Sequence, residues 1–323
     1  MGSDGDKAAL ESKIKNIDQQ IAVLQELKAQ CHQKLHSLEH IATPVKPKLF
    51  TAAPSDDKAT IFRSYFHGRE DVYAKLWVNN RTGKRGYSPV CKNEWVRSLC
   101  RKPAVKCSEC PNQQFLSFDE SAIRQHLEGR QVIGVYPMLK NEACHFIAID
   151  FDKEHWKDDV RAVMATSRDE AIPAVVERSR SGNGGHVWVF LGDEIPAVLS
   201  RKLGSALITK TMARRYQIDM KSYDRLFPNQ DTMPKGGFGN LIALPFQKET
   251  MARGNSVFID KNGNPYPDQW GFLAAIPKMS YRDVESFVDE ASRAGQVIAA
   301  WHSPVEENDE PWMRLPSRKR RFK

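Results

Sequence analysis

The sequence predicts an α/β (α+β) fold for most of the chain, and three observations support it. From Ile61 onward, short apolar runs alternate with stretches of helical periodicity, as is typical of mixed α/β domains. The 323 residues suffice for one large domain or two modest ones. No window approaches the about 18 consecutive apolar residues that a membrane-spanning helix needs, so the sequence excludes integral membrane proteins.

Residues 1–42 predict a coiled-coil helix. Apolar side chains recur there in alternating steps of four and three residues, interrupted at Lys28, and they are Leu10, Ile14, Ile17, Ile21, Leu24, Cys31, Leu35 and Leu38. The spacing favours self-association or pairing with a partner helix. The alternative is a single amphipathic helix that lies on the following domain. Residues 43–60 contain three prolines and no periodicity, which is typical of a linker.

The next region, residues 61–300, contains recognisable strands and helices. VYAKLWVN and TGKRGYSPV predict a hairpin, and further strands are expected in QVIGVYPML, HFIAIDFD and the two halves of AVVERSRSGNGGHVWVFL. Helices are expected at SAIRQHLEG, KDDVRAVMATSRDEA, AVLSRKLGSALITKTMARRY and SYRDVESFVDEASRAG. Residues 301–323 mix acidic and basic runs, and they predict a flexible charged tail.

Charge and cysteine content restrict the partners and the compartment. The formal net charge of +8 and the pI near 9.1 are compatible with nucleic-acid binding. The N-terminus lacks the basic and apolar regions of a secretory signal, so we expect a cytoplasmic protein. In that compartment the six cysteines are expected to be thiols or metal ligands rather than disulfides.

The strand-like run HFIAIDFD ends in two aspartates that are spaced by one residue. In a strand, residues i and i+2 point to the same face, so Asp150 and Asp152 would project their carboxylates together. A cation normally relieves the repulsion between two such charges, and Mg²⁺ or Mn²⁺ suits oxygen ligands. The alternative is a strand that merely reaches solvent with acidic residues at its end.

A glycine-rich turn with polar neighbours follows in ERSRSGNGGHVWVF. Its glycines, including Gly184, can bring backbone N–H groups close to a phosphate, and Arg180, Ser181 and His186 add further donors. The sequence is neither a Walker P-loop nor a dinucleotide fingerprint, because it lacks the Lys-Ser/Thr ending and a strand follows the turn. The alternative is a plain hairpin turn with an incidental histidine.

Residues 220–249 supply a third acidic position and a second glycine-rich loop. Asp224 follows an aromatic residue and could complete a two-metal site. The loop contains Lys235 and Asn240, which could contact a phosphate or a template backbone. An ordinary surface loop would have a similar sequence.

Four of the cysteines lie within 20 residues and predict a zinc knuckle over residues 91–110. Cys91, Cys100, Cys107 and Cys110 could form a closed, structural tetrahedral site, with His126 as an alternative fourth ligand. The other possibility is four unconnected thiols. Basic and aromatic neighbours favour a surface that faces nucleic acid, namely Lys92, Trp95, Arg97, Arg101, Lys102 and Lys106.

Together, the aspartate pair, the Ser181-to-His186 segment and Tyr223-Asp224 resemble the three motifs of archaeo-eukaryotic primase-polymerases. The longer strings SRSGNGGHVW, SYDRLFPNQDTMPKGGFGNLIALP and GNSVFID are similar to the primase-like domain of TOTE conflict systems. The likeness covers residues 61–300. It implies a small αβ module facing an RRM-like catalytic sheet.

The resemblance also implies roles for individual residues. Asp150, Asp152 and Asp224 would bind two Mg²⁺ or Mn²⁺ ions, and Ser181 and His186 would hold the triphosphate of the incoming nucleotide. The remaining nucleotide-binding candidates are Arg180, Gly184, Lys235, Asn240 and Lys248. Several relatives carry a basic residue where this chain has Ala243, and Lys248 is a candidate replacement.

The function so implied is a DNA-templated primase-polymerase that synthesises or extends primers from (d)NTPs. Its partners would be single-stranded DNA template and primer, and a helicase, to which relatives in mobile elements are often fused. Two alternatives remain open on the sequence. A metal-dependent nuclease could use the same acidic residues, and a non-catalytic single-stranded nucleic-acid-binding module would not need them.

Overall fold

A computed structural model describes residues 55–297, except residues 103, 215–221 and 234–236, together with separate positions between residues 10 and 30. The chain divides into two compact units, Met1–Ala52 and Ala53–Lys323. In the described residues, no helix is both long and apolar enough to cross a membrane.

The second unit contains nine strands and seven α-helices in its described residues. The strands are β1 (Ala74–Val78), β2 (Arg85–Pro89), β3 (Ile133–Val135), β4 (Ala143–Asp152), β5 (Val175–Arg178), β6 (Gly184–Pro196), β7 (Tyr223–Phe227), β8 (Ile242–Ala243) and β9 (Val257–Ile259). The helices are α1 (Ser55–Tyr65), α2 (Glu120–Leu127), α3 (Trp156–Asp169), α4 (Ala197–Arg214), α5 (Lys248–Met251), α6 (Gln269–Ala274) and α7 (Tyr281–Arg293).

The larger sheet is antiparallel, with strand order β7-β4-β6-β5-β9. Its first four strands and the helices α3 and α4 follow one another as β-α-β-β-α-β, the split arrangement of RRM-like sheets. The sequence prediction of a mixed α/β fold is therefore confirmed. The smaller sheet, in the order β2-β1-β3-β8, is also antiparallel and contains the predicted hairpin of β1 and β2.

Alternate residues of the larger sheet enter two different hydrophobic clusters. Ile147 and Ile149 of β4 pack with residues of α3, α4 and α7, and we call this side the helix face. Phe146 and Ala148 pack with residues of α1, α2, β3 and β8, and we call this side the inter-sheet face. Side chains alternate along a strand, so the position of each polar residue near the end of β4 decides on which of the two faces it lies.

Three sequence predictions about chain organisation have different outcomes. Helix α1 begins at Ser55, so the last residues of the predicted linker 43–60 are helical. At its described positions the predicted N-terminal helix is helical, and Leu10, Ile14, Ile17, Ile21 and Leu24 are exposed. The rest of residues 1–42, including Cys31, and the tail 301–323 lie outside the described residues, so the coiled coil stays a prediction.

Candidate active site

Asp150 and Asp152 lie at the carboxyl end of β4, on the inter-sheet face. They continue the alternation of Phe146 and Ala148, which are fully buried in the cluster between the two sheets. Asp150 pairs with His186 of β6, and Asp152 pairs with Gly184. The two carboxylates therefore follow the apolar core along β4, with Asp150 at the edge of the core and Asp152 at the partly open end of the sheet.

A β-bulge brings Asp224 towards the same face. Along β7, Phe227 packs on the inter-sheet face and Leu226 on the helix face. The pairing then shifts, because Asp150 opposes Arg225 whereas Phe151 opposes Tyr223, which leaves Asp224 as the extra residue. Tyr223 packs on the helix face again, so both Asp224 and Arg225 fall on the side of Asp150. In a regular ladder, Asp224 would point to the helices.

His186 lies between two carboxylates. Its Nε2 is 3.4 Å from Oδ1 of Asp150, and its Nδ1 is 2.5 Å from Oε2 of Glu177. Glu177 is the residue of β5 that pairs with His186, and only 2% of its surface is exposed. Its Oε2 also accepts a hydrogen bond from the Trp188 indole, at 3.4 Å. A buried carboxylate therefore orients the imidazole from behind.

Burial and charge shift the pKa values of this pair upward. Burial raises the pKa of Asp150 to about 6; the carboxylates of Asp152 and Asp224 act in the same direction, and His186 opposes them. Burial alone would lower the pKa of His186, but the charges of Glu177 and Asp150 outweigh it and raise the pKa to about 9. At neutral pH the imidazole is therefore a cation.

The carboxylates outnumber the cations around them. Asp150, Asp152, Asp224 and Glu177 face the imidazolium of His186 and the guanidinium of Arg225, whose Nε lies 2.7 Å from Oδ2 of Asp224. The formal excess of two negative charges is suited to divalent cations. In the described residues, no group of three or more His, Cys, Asp or Glu side chains is already placed to hold a metal ion.

The glycine-rich turn between β5 and β6 leaves space for one of the carboxylates and is itself held in place by hydrogen bonds. A Cβ on Gly184 would lie 2.4 Å from Oδ1 of Asp152, so any side chain there would displace this carboxylate. The Ser181 hydroxyl accepts a hydrogen bond from the Asn183 N–H at 3.1 Å, and it lies exposed at the tip of the turn. The guanidinium of Arg178 donates to the carbonyls of Gly254 and Gly263 and holds the turn against the neighbouring loop.

A buried aspartate of α3 ties the start of β7 to the end of β4. Asp159 accepts hydrogen bonds from Ser222, at 2.5 Å from the hydroxyl and 3.3 Å from the backbone nitrogen. The carbonyl of Ser222 accepts from the N–H of Asp152 at 2.7 Å. This contact fixes the strand that carries Asp224. Sequence reasoning missed Asp159, although an acidic residue on the apolar side of a helix was a usable signal.

Arg180 and Lys248, predicted from the sequence to bind nucleotide, line one cavity of about 200 Å³. Arg130, which no motif had indicated, adds a third cation to its wall. Gln247 is 4% exposed, and its Oε1 finds no hydrogen-bond partner among the described residues. Arg180 also hydrogen-bonds to the Tyr87 hydroxyl of β2, so it connects the two sheets. Glu249 also lines the cavity, and Arg130 pairs with Glu128 at 2.9 Å, so the net positive charge available to an anionic ligand comes mainly from Arg180 and Lys248.

The second glycine-rich loop is only partly described. Asn240 is half-buried just before β8, whereas Lys235 lies outside the described residues. Phe238 stacks edge-on against Phe115, with ring centroids 5.1 Å apart, and Phe115 bridges to Cys91. The loop therefore packs against the cysteine-rich segment. Asp231 forms an ion pair with Arg201 of α4.

The four predicted zinc ligands line a single cleft between β2 and α2. Cys91, Cys100, Cys107 and Cys110 share its wall, and burial raises the pKa of the Cys107 thiol. His126, the alternative fourth ligand, does not line this cleft. Its ring is fully buried in the core, where Nδ1 accepts from the Ile133 N–H at 3.1 Å and Nε2 donates to the Pro245 carbonyl at 2.7 Å.

Comparison with solved structures gives a match to the polymerase domain from Mycobacterium tuberculosis Ligase D in complex with DNA. The identity is 13%, the match covers 74% of this chain and 88% of that chain, and the TM-score is 0.38. No curated protein matches the chain.

A family model, described as the archaeo-eukaryotic primase domain of the TOTE conflict system, matches residues 57–287. This confirms the resemblance inferred from the sequence motifs. The matched region includes both sheets, the aspartates of β4 and β7, the glycine-rich turn and the cysteine cleft. The chain therefore belongs to the family of archaeo-eukaryotic primase domains of TOTE conflict systems.

Proposed function

We propose that the chain is a nucleotidyltransferase that starts or extends a primer on single-stranded DNA from nucleoside triphosphates. One observation carries the proposal. Asp150 and Asp224 share a sheet face with a cationic His186, and a cavity lined by Arg180 and Lys248 lies in the same unit. Negative groups suited to metal ions and positive groups suited to phosphate are the two requirements of nucleotidyl transfer.

The donor set fits divalent metal ions, and Asp150, Asp152 and Asp224 would hold them. When bound, Mg²⁺ or Mn²⁺ would activate the primer 3′-hydroxyl and neutralise the charge on the triphosphate. The protein orients the reactants. The hydroxyl oxygen bonds to the α-phosphorus and its proton passes to water, while the bond between the α-phosphorus and the oxygen that bridges to the β-phosphate breaks, so that pyrophosphate leaves with that oxygen. His186, Arg180 and Lys248 bind phosphate oxygens and compensate their charge.

The cysteine cleft would hold a structural zinc ion. Four thiols, two of them in a Cys-x-x-Cys pair, are the donors of closed tetrahedral zinc sites. Where the structure describes the segment between β2 and α2, its regular structure is a single 3₁₀ turn, Cys107–Glu109, besides one isolated bridge. Metal binding would stabilise a segment that is too short to form a core of its own.

The decisive experiment incubates the full chain with single-stranded DNA, with and without a primer, labelled dNTPs or NTPs, and Mg²⁺ or Mn²⁺. We expect products that lengthen only when triphosphates are present, with release of pyrophosphate. Oligonucleotides that shorten without triphosphates would instead support the nuclease alternative. Binding of DNA with no change of length under every condition would favour the non-catalytic module.

A further inference from the structure

Trp95 is the most exposed of the large hydrophobic side chains in the described part of the chain. Its relative exposure is 69%, and that of the adjacent Val96 is 41%. Its φ of 64° lies in the left-handed region, which costs an ordinary residue about 1 kcal/mol. A large aromatic side chain held outside the core in this conformation suggests an external ligand.

The turn that carries Trp95 is anchored on both sides. Asn93 donates to the carbonyl of Asn112 at 2.8 Å. Glu94 forms ion pairs with Lys75 of β1, at 3.1 Å, and with Lys102, at 2.9 Å. The Lys102 ammonium lies 5.9 Å from the centre of the Trp95 ring. The indole is thus supported by a fixed base while most of its surface stays accessible.

The charges around Trp95 favour an anionic partner. Lys92, Arg97 and Arg101 are exposed within six residues of it. The acidic residues of the segment are already paired, because Glu94 contacts two lysines and Glu109 lies 3.8 Å from Lys106. An accessible aromatic ring among unneutralised cations is the arrangement that binds single-stranded nucleic acid, through base stacking and phosphate contacts.

We propose that Trp95, together with Lys92, Arg97 and Arg101, forms a platform on which a base of a single-stranded nucleic acid stacks. The inference deepens the proposed function and rests on it, since the bound strand would be the template. The indole supplies sequence-independent affinity, and the three cations supply the salt-dependent part.

The test measures binding of a fluorescent oligothymidylate to the full chain, without metal ions or triphosphates. Trp95→Ala should weaken binding by about 5- to 100-fold, the loss of one stacked base, and Trp95→Phe should keep most of the affinity. Tyr281→Ala, which removes an exposed aromatic ring from α7, should bind like the wild type. Equal thermal unfolding midpoints of the three variants would exclude misfolding.

Salt dependence separates stacking from charge. Trp95→Ala should leave the slope of log K against log salt unchanged, whereas Arg101→Ala should reduce its magnitude by about 0.7.

The inference is overturned if Trp95→Ala binds as tightly as Tyr281→Ala. It is also overturned if Trp95→Ala lowers only the oligomeric mass, which would indicate a protein interface. Stacking on Trp95 without nucleotide incorporation would overturn the polymerase proposal alone. If Trp95→Ala incorporates nucleotides and binds DNA with wild-type affinity, only the platform proposal is overturned.

Discussion

The carboxylate of Glu177 lies 2.5 Å from Nδ1 of His186, across the hairpin formed by β5 and β6. This buried contact keeps the imidazole in the charged form and directs Nε2 towards Asp150. A histidine that would otherwise be a weak phosphate ligand becomes a fixed cation beside the candidate metal ligands. Glu177 therefore acts through His186 and is a positioning residue.

Replacement of Glu177 by glutamine should raise the KM for the nucleoside triphosphate by about tenfold or more, since a charge-assisted hydrogen bond contributes roughly 1.5–3 kcal/mol. The affinity for single-stranded DNA should change little. Steady-state kinetics and DNA binding measured in parallel would show this split, with Glu285→Gln on the exposed side of α7 as the control. A wild-type KM in Glu177→Gln would show that His186 does not contact the nucleotide.

Asp150→Asn and Asp224→Asn should each abolish nucleotide incorporation and leave DNA binding intact, because each removes one of the proposed metal ligands. Asp150→Asn should also unfold at the same or a higher temperature without metal ions. Burial and two neighbouring carboxylates disfavour the charged form of Asp150, so the neutral amide relieves that cost. Incorporation by either variant above a few percent of the wild-type rate would contradict the assignment. Asp158→Asn, on exposed α3 surface, is the matched control.

Arg130→Ala should raise the KM for the triphosphate, since Arg130 shares the wall of one cavity with Arg180 and Lys248. We expect an increase of several-fold rather than a complete loss, because 71% of the Arg130 side chain is exposed and solvent weakens its charge. Arg161→Ala removes an exposed arginine that pairs with Asp158 and should have no effect. If both variants behave alike, the cavity does not bind phosphate.

His126 should make the folded state less stable as the pH falls. Burial lowers its pKa to about 4 from an ordinary 6.5. Between these two pKa values the unfolded chain binds a proton that the folded chain does not. The contribution of neutral His126 to the free energy of unfolding is therefore complete above pH 6.5 and is lost as the pH falls towards 4. The loss of unfolding free energy from this group between pH 7.5 and pH 4.5 is roughly 2–3 kcal/mol.

Urea unfolding of the wild type and of His126→Gln at both pH values would measure this difference. The variant should lose less stability on acidification. NMR gives an independent check if the variant does not fold, because the His126 ring should show no titration between pH 7.5 and 5. A ring that titrates near pH 6.5 would contradict the buried, neutral assignment.

The purified chain should contain one zinc ion per protomer, and Cys107→Ser should lose it, since all four cysteines line one cleft. His126→Gln should retain the metal, because both ring nitrogens of His126 already bond to the backbone. Elemental analysis of protein prepared under reducing conditions measures both. If the wild type contains no stoichiometric zinc, the four cysteines are ordinary thiols and the proposed zinc site is wrong.

Strand periodicity was sufficient to place Asp150 and Asp152 on one face, because that inference depends only on residues of a single strand. The hairpin of β1 and β2 and the helices α2, α3, α4 and α7 were likewise predictable from local patterns. Glu177 was missed because its role depends on pairing with His186 across the sheet. The register, 177 opposite 186 around the glycine turn, could have revealed it.

The position of His126 was not predictable from the sequence for a different reason. Its spacing from the cysteines allowed a zinc ligand, and only the tertiary packing of α2 against β3 and Pro245 shows that its ring faces the core. Arg130 and Gln247 come from separate loops, so no linear motif could associate them with Arg180.

The bulge at Asp224 gives the larger sheet a pair of opposite charges at one point of its ladder. In an even ladder with β4, strand β7 could set only one side chain opposite Asp150, either the carboxylate of Asp224 or the guanidinium of Arg225. The extra residue lets both stand on the same side, where Nε of Arg225 lies 2.7 Å from Oδ2 of Asp224. The strand thus supplies a further candidate metal ligand together with its own counter-charge, and one of the two would be lost if β7 were one residue shorter.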